Sequence, residues 1–469
     1  MKREAGILLP ISALPSAYGI GGFDRAAYEF VDFLARSGQS VWQILPLGPT
    51  GYGDSPYQSP SAFAGNPYFI SIEHLLADGL LTEDECQEAD CTSSDGFVDY
   101  GALYEKRNRL LRKAFSRHRQ STEELRFCET HRAWLEPYAL FMARKAQPDG
   151  GLIAEEAAYY RFLQYRFFED FWALKRYANQ KGIRILGDLP IYVSLDSVEV
   201  CFSPSLFEVD GLGVPLAVAG CPPDGFAPKG QLWGNPLYDW REHEREGYAW
   251  WIARLSHAFS MYDAVRIDHF RGFDAYYAIP YGAPDATRGE WRKGPGMALF
   301  RAVRKALGER EIIAEDLGFV TESVRALLRE SGFAGMKILQ FGFEGDAEHL
   351  PHQYPNNSVA FTGTHDNPTL CEWLEMRSAE EIARLREYLW DFSSPNDALP
   401  DALIALLMRS PSRLAIVPMQ DYLGLGAEAR MNRPSTTGEN WRWHLAREQM
   451  SGELADKIFR LTRLGGRLP

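Results

Sequence analysis

Short runs of apolar residues recur along the chain, and each run ends at a Gly, a Pro or a polar residue. Continuous apolar runs that are rich in Val, Ile and Leu are typical of parallel strands buried on both faces. The pattern therefore predicts eight strands, at Ile7–Ile11, Val41–Pro46, Ile183–Asp188, Ala264–Asp268, Ile312–Glu315, Lys337–Phe341, Val359–Thr362 and Ala415–Met419.

Between several of these runs the apolar residues recur every three or four positions, which predicts amphipathic helices. One helix is predicted from Asp24 to Gly38, with Asp24 as its N-cap and Gly38 just beyond its C-terminus. The same periodicity predicts helices over Glu155–Gly182 and Thr321–Gly332. Strands that alternate with helices indicate an α/β fold, and eight such strands predict a (β/α)8 TIM barrel.

A doubly wound sheet is the alternative fold, because it also alternates parallel strands with helices. Its dinucleotide-binding fingerprint is absent, since Gly19, Gly21 and Gly22 lack the G-x-G-x-x-G spacing. The phosphate-binding Walker A pattern is absent as well. The sequence therefore favours the barrel.

Two gaps between predicted strands are longer than ordinary loops between a strand and a helix. We expect a single catalytic barrel domain over residues 1–469, with long insertions after strands 2 and 3. A mostly helical insertion subdomain is predicted over residues 72–155. A Gly- and Pro-rich insertion over residues 189–262 is predicted to carry a lid over the active site, because long ordered insertions usually cover the active face. The alternative is that both insertions are structural appendages.

The composition excludes several classes of protein. The chain has 50 Lys and Arg against 63 Asp and Glu, a formal net charge of −13, which argues against a general nucleic-acid-binding protein. No stretch approaches the roughly 18 apolar residues of a transmembrane helix, so we expect no membrane partner. Aromatic residues make up 13% of the chain. Core packing explains most of them, and the alternative is a carbohydrate site in which flat rings pack on sugars.

The six cysteines are scattered without a C-x-x-C pair, which favours reduced thiols in a cytoplasmic protein over zinc ligands. The histidines form no H-E-x-x-H motif, so we expect no metal site. Lys2 and Arg3 precede an apolar stretch and superficially resemble the start of a signal peptide. Glu4 and Pro10 interrupt that pattern and argue against a cleaved signal.

Acidic residues stand at the ends of several predicted strands. Asp188, Asp268 and Glu315 end the third, fourth and fifth runs, Asp366 follows the seventh, and Asp421 follows the eighth. In a barrel, the groups that react lie at the carboxyl ends of the strands. One such carboxylate is often a helix cap or an ion-pair partner. Several that converge would repel one another, and this favours an active site.

Two carboxylates that flank a bond are the arrangement that cleaves a glycoside: one attacks the anomeric carbon and the other protonates the leaving oxygen. Arg266 lies two residues before Asp268 and therefore on the same face of the strand. Its guanidinium can hold Asp268 in place and keep it ionised, as a nucleophile requires. Glu315 is then the predicted acid/base, with a pKa raised by apolar burial or by neighbouring anions.

Nine segments spread over nearly the whole chain resemble motifs of the 4-α-glucanotransferases. These enzymes are also called amylomaltases or disproportionating enzymes, and they form glycoside hydrolase family 77, which is related to the α-amylase clan. The segments are Gly6–Ser16, Asp54–Phe63, Gly187–Tyr192, Cys221–Asp224, Gly230–Tyr238, Val265–Gly272, Ala314–Gly318, Thr364–Asn367 and Asn432–Trp441. The resemblance implies that the N-terminal apolar segment is the first barrel strand, and that the enzyme needs no metal and no cofactor.

The resemblance also implies catalytic roles. Asp268 resembles the nucleophile that forms a β-glycosyl-enzyme intermediate, and Glu315 resembles the general acid/base. Asp366 resembles the third carboxylate, which binds sugar hydroxyls and supports the transition state. Arg266 resembles the partner of the nucleophile, and His365 resembles a residue that contacts a sugar hydroxyl.

Five further residues are implied in substrate binding. Tyr57 and Asp188 resemble residues that line the donor subsite. Phe226, Trp233 and Asn235 lie in or beside a loop that covers the acceptor side.

That loop departs from the family pattern at one position. Family members often have Pro-Pro-Asp-Tyr-Phe, whereas this chain has Gly225 in place of the Tyr. The change removes one stacking surface and loosens the backbone. We expect it to affect acceptor binding and the ratio of transfer to hydrolysis.

The implied activity is the transfer of 1,4-α-D-glucan segments to the 4-hydroxyl of an acceptor glucan or glucose. The implied route is a retaining double displacement through a covalent glycosyl-enzyme. The implied partners are maltooligosaccharides, amylose or starch, and glycogen-derived glucans, and no particular oligomeric state is predicted. An α-glucan hydrolase of the α-amylase clan is the first alternative, and a non-catalytic glucan-binding protein is the second.

Overall fold

The computed structural model describes residues 2–51, 53–91, 96–223 and 227–469, which contain twelve strands. The strands are β1 (Glu4–Leu8), β2 (Val41–Gln43), β3 (Arg184–Leu189), β4 (Ala217–Cys221), β5 (Gln231–Pro236), β6 (Ala264–Ile267), β7 (Ala275–Pro280), β8 (Glu290–Lys293), β9 (Ile312–Ala314), β10 (Ala334–Ile338), β11 (Ser358–Phe361) and β12 (Leu414–Pro418). Eight of them close a parallel barrel in the order β1, β2, β3, β6, β9, β10, β11 and β12, and β12 pairs again with β1. The predicted (β/α)8 fold is confirmed.

The described residues also form eighteen α-helices. They are α1 (Arg25–Arg36), α2 (Ile72–Ala77), α3 (Glu83–Glu88), α4 (Tyr100–Arg117), α5 (Thr122–Thr130), α6 (Arg132–Ala146), α7 (Ile153–Gln180), α8 (Val198–Phe202), α9 (Trp240–Arg245), α10 (Ala249–Met261), α11 (Met297–Leu307), α12 (Glu322–Ser331), α13 (Leu339–Phe343), α14 (Leu370–Glu375), α15 (Ala379–Leu389), α16 (Leu399–Arg409), α17 (Met419–Leu423) and α18 (Gly452–Leu464). None of the helices in this described part combines the length and the apolar character needed to cross a membrane.

All eight predicted runs overlap barrel strands, but two of them are displaced. The first strand is Glu4–Leu8 instead of Ile7–Ile11, and the sixth is Ala334–Ile338 instead of Lys337–Phe341. In both places the apolar run continues after strand pairing has stopped. Residues just beyond these strands, such as Leu9 and Leu339, are as buried as the strand residues, so hydrophobicity alone does not show where pairing ends.

The three predicted helices correspond to α1, α7 and α12. The N-cap predicted for α1 has a different use, because the carboxylate of Asp24 makes no capping hydrogen bond to its own helix. It instead accepts hydrogen bonds from Ser71 Oγ at 2.7 Å and from the backbone N–H of Glu73 at 3.1 Å. Asp24 thus binds the start of α2 and fixes the first insertion to the barrel.

The first insertion lies between β2 and β3, where helices α2 to α6 precede the 28-residue helix α7. Helix α7 packs against the barrel through an aromatic cluster in which Phe23 meets Phe167 and Phe171 at ring-centroid distances of 5.2 and 5.5 Å. The described residues between 72 and 146 contain the five helices α2 to α6, and α7 itself serves as the barrel helix that leads into β3. The boundaries of a separate subdomain over residues 72–155 stay a prediction.

A second sheet, which the sequence did not predict, combines two insertions. Strands β4 and β5 follow β3, whereas β7 and β8 follow β6, and together they form an antiparallel sheet in the order β5-β4-β7-β8. Residue pairs such as Val218 with Ile279 and Tyr277 with Trp291 fix the register. We call this four-stranded sheet the accessory sheet. Strand β8 is mostly polar and exposed, so it carries no apolar run that could have predicted it.

Candidate active site

Three of the residues predicted to form the site continue the face of the strands that lines the inside of the barrel. Apolar residues of three strands fill the interior below the site: Leu186, Ala264 and Ile313. Residues two positions further along a strand point to the same side. Asp188, Arg266 and Glu315 are those residues, and they lie at the carboxyl ends of β3, β6 and β9. We call this end of the barrel the mouth.

Arg266 is the centre of the site. Its Nη1 donates to both carboxylate oxygens of Asp188 at 2.7 Å, and its Nη2 donates to Asp268 Oδ1 at 3.0 Å. Asp188 and Arg266 are directly paired in the register between β3 and β6, and their exposed fractions are only 3% and 4%. One guanidinium therefore holds two carboxylates, and the predicted contact between Arg266 and Asp268 is present.

Asp268 and Glu315 differ in their proton affinity. Burial raises the pKa of Asp268 to about 6, and the anions of Asp188 and Asp366 add to the rise while Arg266 opposes it. Burial raises the pKa of Glu315 to about 8, and the negative charge of Asp268 contributes. At neutral pH the arrangement favours an ionised Asp268 and a protonated Glu315.

Glu315 is held by the backbone that follows Asp268. The N–H of His269 donates to Glu315 Oε2 at 2.6 Å. His269 adopts a left-handed conformation, with φ of 51°, at the start of the short 3-10 helix Phe270–Phe273. This turn directs the N–H towards the neighbouring strand end, so the two carboxyl groups are positioned by one loop.

Tyr57 lies in the loop after β2, the second barrel strand, and contacts a residue that follows β11, the seventh. Its hydroxyl donates to Asp188 Oδ2 at 2.8 Å and lies 2.9 Å from Nε2 of His365. The two rings are stacked, with centroids 5.3 Å apart. Burial raises the pKa of Tyr57 and lowers the pKa of His365, so the phenol keeps its proton and the imidazole is neutral. The tyrosine oxygen can then accept a hydrogen bond from Nε2–H of His365.

Asp366 follows β11 and reaches the mouth with a partly open carboxylate. Its side chain is 44% exposed, and Oδ1 accepts a hydrogen bond from Asn432 Nδ2 at 2.6 Å. Arg430 donates to the backbone oxygen of Asp366 at 2.9 Å and lies 3.4 Å from Glu372. The chain after β12 thus positions Asp366 while its side chain stays partly exposed.

Trp233 and Asn235 lie on β5, at one edge of the accessory sheet. The ring of Trp233 meets the ring of His269 edge-on, with centroids 4.8 Å apart, which brings it beside the loop that follows Asp268. Asn235 is buried, and its Nδ2 donates to the backbone oxygen of Val193 at 2.8 Å. The amide of Asn235 therefore fixes the loop after β3. Phe226 lies outside the described residues.

The chain is similar to a family of known enzymes over most of its length. The chain matches the family model described as 4-alpha-glucanotransferase, glycoside hydrolase family 77, over residues 9–155 and 149–449. It is 44% identical to the 4-alpha-glucanotransferase of Clostridium butyricum, with 97% of this chain and 99% of the relative covered. The chain belongs to the 4-α-glucanotransferase family. The resemblance found in the sequence motifs is confirmed, and so is the prediction of a glucanotransferase enzyme.

Further relatives of the family agree. The 4-alpha-glucanotransferase of Thermus thermophilus is 44% identical, with 97% of each chain covered. An amylomaltase from Streptococcus agalactiae, solved in complex with acarbose, superposes with a TM-score of 0.96 at 38% identity, with 100% of both chains covered. An α-amylase from Anoxybacillus gives a TM-score of 0.50 at 12% identity, with 99% of this chain and 79% of that chain covered, and it shares only the fold.

Two residues of the family motif Asn432–Trp441 belong to the site, although the sequence assigned them no role. Asn432 binds Asp366, and the ring of Trp441 lies 6.0 Å from that of Tyr57 and 5.9 Å from that of His365. The motif itself could have pointed to these two residues, since it resembles the family, as the segments with the predicted catalytic residues also do.

Two other strand-end carboxylates are occupied by structural hydrogen bonds. Asp316 accepts from the backbone N–H of Met336 at 2.7 Å, and so links β9 to β10. Asp421 accepts from Thr362 Oγ1 at 2.6 Å and from the backbone N–H of Leu370 at 2.7 Å. These acids stabilise the barrel. A carboxylate at a strand end is therefore no sufficient sign of catalysis, even in this barrel.

Proposed function

We propose that the chain is a 4-α-glucanotransferase that works by a retaining double displacement, with Asp268 as nucleophile and Glu315 as general acid/base. These roles are supported by the arrangement around Arg266, whose guanidinium binds Asp268. Burial raises the pKa of Glu315 more than that of Asp268, so Glu315 is the group that keeps its proton. Membership of the 4-α-glucanotransferase family supports the reaction.

In the first step Asp268 attacks the anomeric carbon of the donor glucan, and a bond forms between that carbon and a carboxylate oxygen. The bond from the anomeric carbon to the glycosidic oxygen breaks. Glu315 gives its proton to that oxygen, so the leaving chain departs as a neutral alcohol. The hydrogen bond from Arg266 keeps the attacking carboxylate ionised and directed.

In the second step the 4-hydroxyl of an acceptor glucan attacks the same carbon from the side that the first chain left. Glu315, now ionised, takes the proton of that hydroxyl. The bond to Asp268 breaks, and the carboxylate is regenerated. Two inversions restore the α-configuration, which is the stereochemistry of a retaining enzyme.

We further propose that Asp188, Tyr57, His365 and Asp366 bind the hydroxyls of the donor sugar. Asp366 supports this role because Asn432 holds one of its oxygens while the side chain is 44% exposed. Asp188 and Tyr57 are already engaged with Arg266 and His365, so they present their remaining lone pairs in a fixed geometry. Such preorganised groups stabilise positive charge as it develops at the anomeric carbon.

Transfer requires that a sugar hydroxyl outcompetes water. We propose that the insertion over residues 189–262 is the lid that excludes water, with Trp233 beside His269 as its described contact with the site. Maltooligosaccharides, amylose or starch, and glycogen-derived glucans are the proposed donors and acceptors. A cytoplasmic location is proposed because the six cysteines are scattered along the sequence without a C-x-x-C pair, a pattern that favours a reducing compartment.

The test is the time course of products from maltotriose with the purified chain. A transferase gives glucose together with maltotetraose and longer chains, whereas a hydrolase gives only glucose and maltose. The Asp268→Asn variant is the blank, because it keeps the fold and loses the attacking carboxylate. Shorter products alone would replace the proposal by the hydrolase, and absence of reaction with both maltotriose and soluble starch would leave a glucan-binding protein.

A further inference from the structure

Two exposed aromatic rings lie side by side near the mouth without a role in the reaction proposed above. Trp291 on β8 is 39% exposed, and Phe319 in the loop after β9 is 68% exposed. Their ring planes are within 18° of parallel, and their centroids are 6.4 Å apart. The two rings are therefore stacked and present nearly parallel faces. We call Trp291 and Phe319 the aromatic platform.

The platform is built on a buried cation. Arg271 is 4% exposed, and its Cζ lies 3.8 Å from the ring centroid of Trp291 and 5.8 Å from that of Phe319. Its Nη1 also donates to the backbone oxygen of Phe319 at 2.5 Å. One guanidinium therefore supports both rings and anchors the loop that carries the second.

The remaining contacts hold the rings in place from behind. Tyr277 is buried in the accessory sheet, and its ring meets Trp291 edge-on with centroids 5.2 Å apart. Gly318, with φ of 77°, makes the turn that directs Phe319 outward. Two rings held in one orientation lose little conformational entropy when a ligand packs on them, and this favours a binding surface over a loosely exposed patch.

The platform is continuous with the catalytic loops. Arg271 is three residues after Asp268, and Phe319 is four residues after Glu315. Even a fully extended chain places the Cα of Phe319 within about 14 Å of that of Glu315. Trp291 belongs to the same accessory sheet as Trp233, so the platform and the proposed lid share one support. Trp441 contacts the mouth from the chain after β12, which is four strands away from β6 around the barrel.

We propose that the aromatic platform is an additional subsite for an α-1,4-glucan chain, and that it binds units of the acceptor or leaving chain beyond those at Glu315. The inference rests on the proposed function, which requires polymers that extend past the catalytic residues. Sugar rings have apolar C–H faces that pack on flat aromatic side chains. The loop of the general acid is where the leaving and acceptor chains must pass, because Glu315 exchanges its proton with their 4-oxygen.

The experiment compares a long and a short substrate in the variants Phe319→Ala and Trp291→Ala. For each variant, KM is measured with amylose and with maltotriose. The ratio of the KM for amylose to the KM for maltotriose is then compared with that of the wild type. Loss of one ring is expected to raise this ratio by roughly 2- to 10-fold. Phe319→Trp keeps a flat ring and is expected to restore the wild-type ratio. Phe319 is mostly exposed on a loop, so its variants test the proposal even where Trp291→Ala fails to fold.

Trp390→Ala is the matched control, because Trp390 is 81% exposed and its ring stands at 77° to that of Phe392, so the pair offers no common plane. It is expected to leave the ratio unchanged. A second measurement does not need turnover. In the Asp268→Asn background, Phe319→Ala should raise the Kd for maltoheptaose by a similar factor. This readout separates failure of the subsite from failure of the proposed transferase.

Two results would overturn the subsite. One is an unchanged KM ratio together with an unchanged Kd for maltoheptaose. The other is an altered sedimentation coefficient in Phe319→Ala with an unchanged Kd, which would make the platform a contact between copies of the chain.

Discussion

Arg266 and Asp188 face each other on adjacent parallel strands, and one guanidinium nitrogen donates to both oxygens of the carboxylate at 2.7 Å. Both side chains are almost fully buried. The same guanidinium reaches Asp268, so the pair links the floor of the mouth to the proposed nucleophile. A buried ion pair of this kind is more important for geometry than for net stability, because desolvation offsets much of the attraction.

The pair is expected to be strongly coupled in unfolding experiments. Arg266→Met leaves the carboxylates of Asp188 and Asp268 without their shared cation, and it should lower the free energy of unfolding by about 3–5 kcal/mol. Asp188→Asn should cost less, because Arg266 keeps its ion pair with Asp268. In the double variant only the carboxylate of Asp268 is left without Arg266, so the loss should be clearly less than the sum of the two. Urea unfolding of the four proteins measures this coupling. Additive losses would mean that the two side chains act independently.

Removal of the proposed nucleophile is expected to stop the reaction without loss of the fold. Asp268→Asn should lower kcat by at least about 10⁴-fold, because the amide cannot replace the attacking carboxylate. Its affinity for maltooligosaccharides should stay near that of the wild type. Asp421→Asn is the matched control, since Asp421 is also a buried carboxylate that follows a barrel strand, but its oxygens accept hydrogen bonds from Thr362 and Leu370. Comparable losses of kcat in both variants would contradict the assignment.

The barrel and the position of the proposed catalytic carboxylates at its mouth could be predicted because both depend on local sequence. Buried parallel strands are apolar throughout, and the acids that follow them meet at one mouth in any closed barrel. The contact from Arg266 to Asp268 also followed from the sequence, because residues two apart in a strand share a face.

Contacts that depend on register or on distant chain segments could not be predicted. The pairing of Asp188 with Arg266 depends on the alignment of two strands whose residues are 78 positions apart. Trp441 reaches Tyr57 only because the chain after the last strand folds back over the mouth. The accessory sheet depends on the meeting of two insertions, and its edge strand β8 has no apolar pattern.

The pH dependence of kcat/KM is expected to be bell-shaped. Activity should rise as Asp268 ionises near pH 6 and fall as Glu315 loses its proton near pH 8. Asp316 adds to the raised pKa of Glu315, so Asp316→Asn should move the alkaline limb to lower pH. With α-maltosyl fluoride as donor, the leaving group needs no proton and the alkaline limb of the glycosylation step should weaken. Persistence of the same alkaline limb with the fluoride would show that another group controls it.

The amide of Asn432 is expected to position the third carboxylate. Asn432→Ala removes the donor 2.6 Å from Asp366, and loss of a hydrogen bond to a charged group should lower kcat/KM by roughly 10- to 100-fold. Asn179→Ala is the control, because Asn179 also donates to a carboxylate, that of Asp263, but lies at the end of α7. Steady-state kinetics with maltotriose compare the two variants. Equal effects would remove the specific role of Asn432.

The raised pKa of Glu315 is also a statement about stability. Between its ordinary value near 4.5 and its folded value of about 8, the folded chain binds a proton that the unfolded chain has released, so stability falls as pH rises through this window. The Glu315→Gln variant has no such proton to lose, so its stability does not fall in this window for that reason. The free energy of unfolding of the variant should therefore match that of the wild type near pH 5 and exceed it by about 1–3 kcal/mol near pH 8.

Asp421 provides the comparison, because burial raises its pKa to about 6. The pH-dependent part of the Asp421→Asn effect on stability should therefore end near pH 6. Thermal unfolding of the three proteins between pH 4.5 and pH 9 measures the pH range of both effects. A gain in stability for Glu315→Gln that is the same at pH 5 and pH 8 would show that the fold does not hold the side chain in its protonated form.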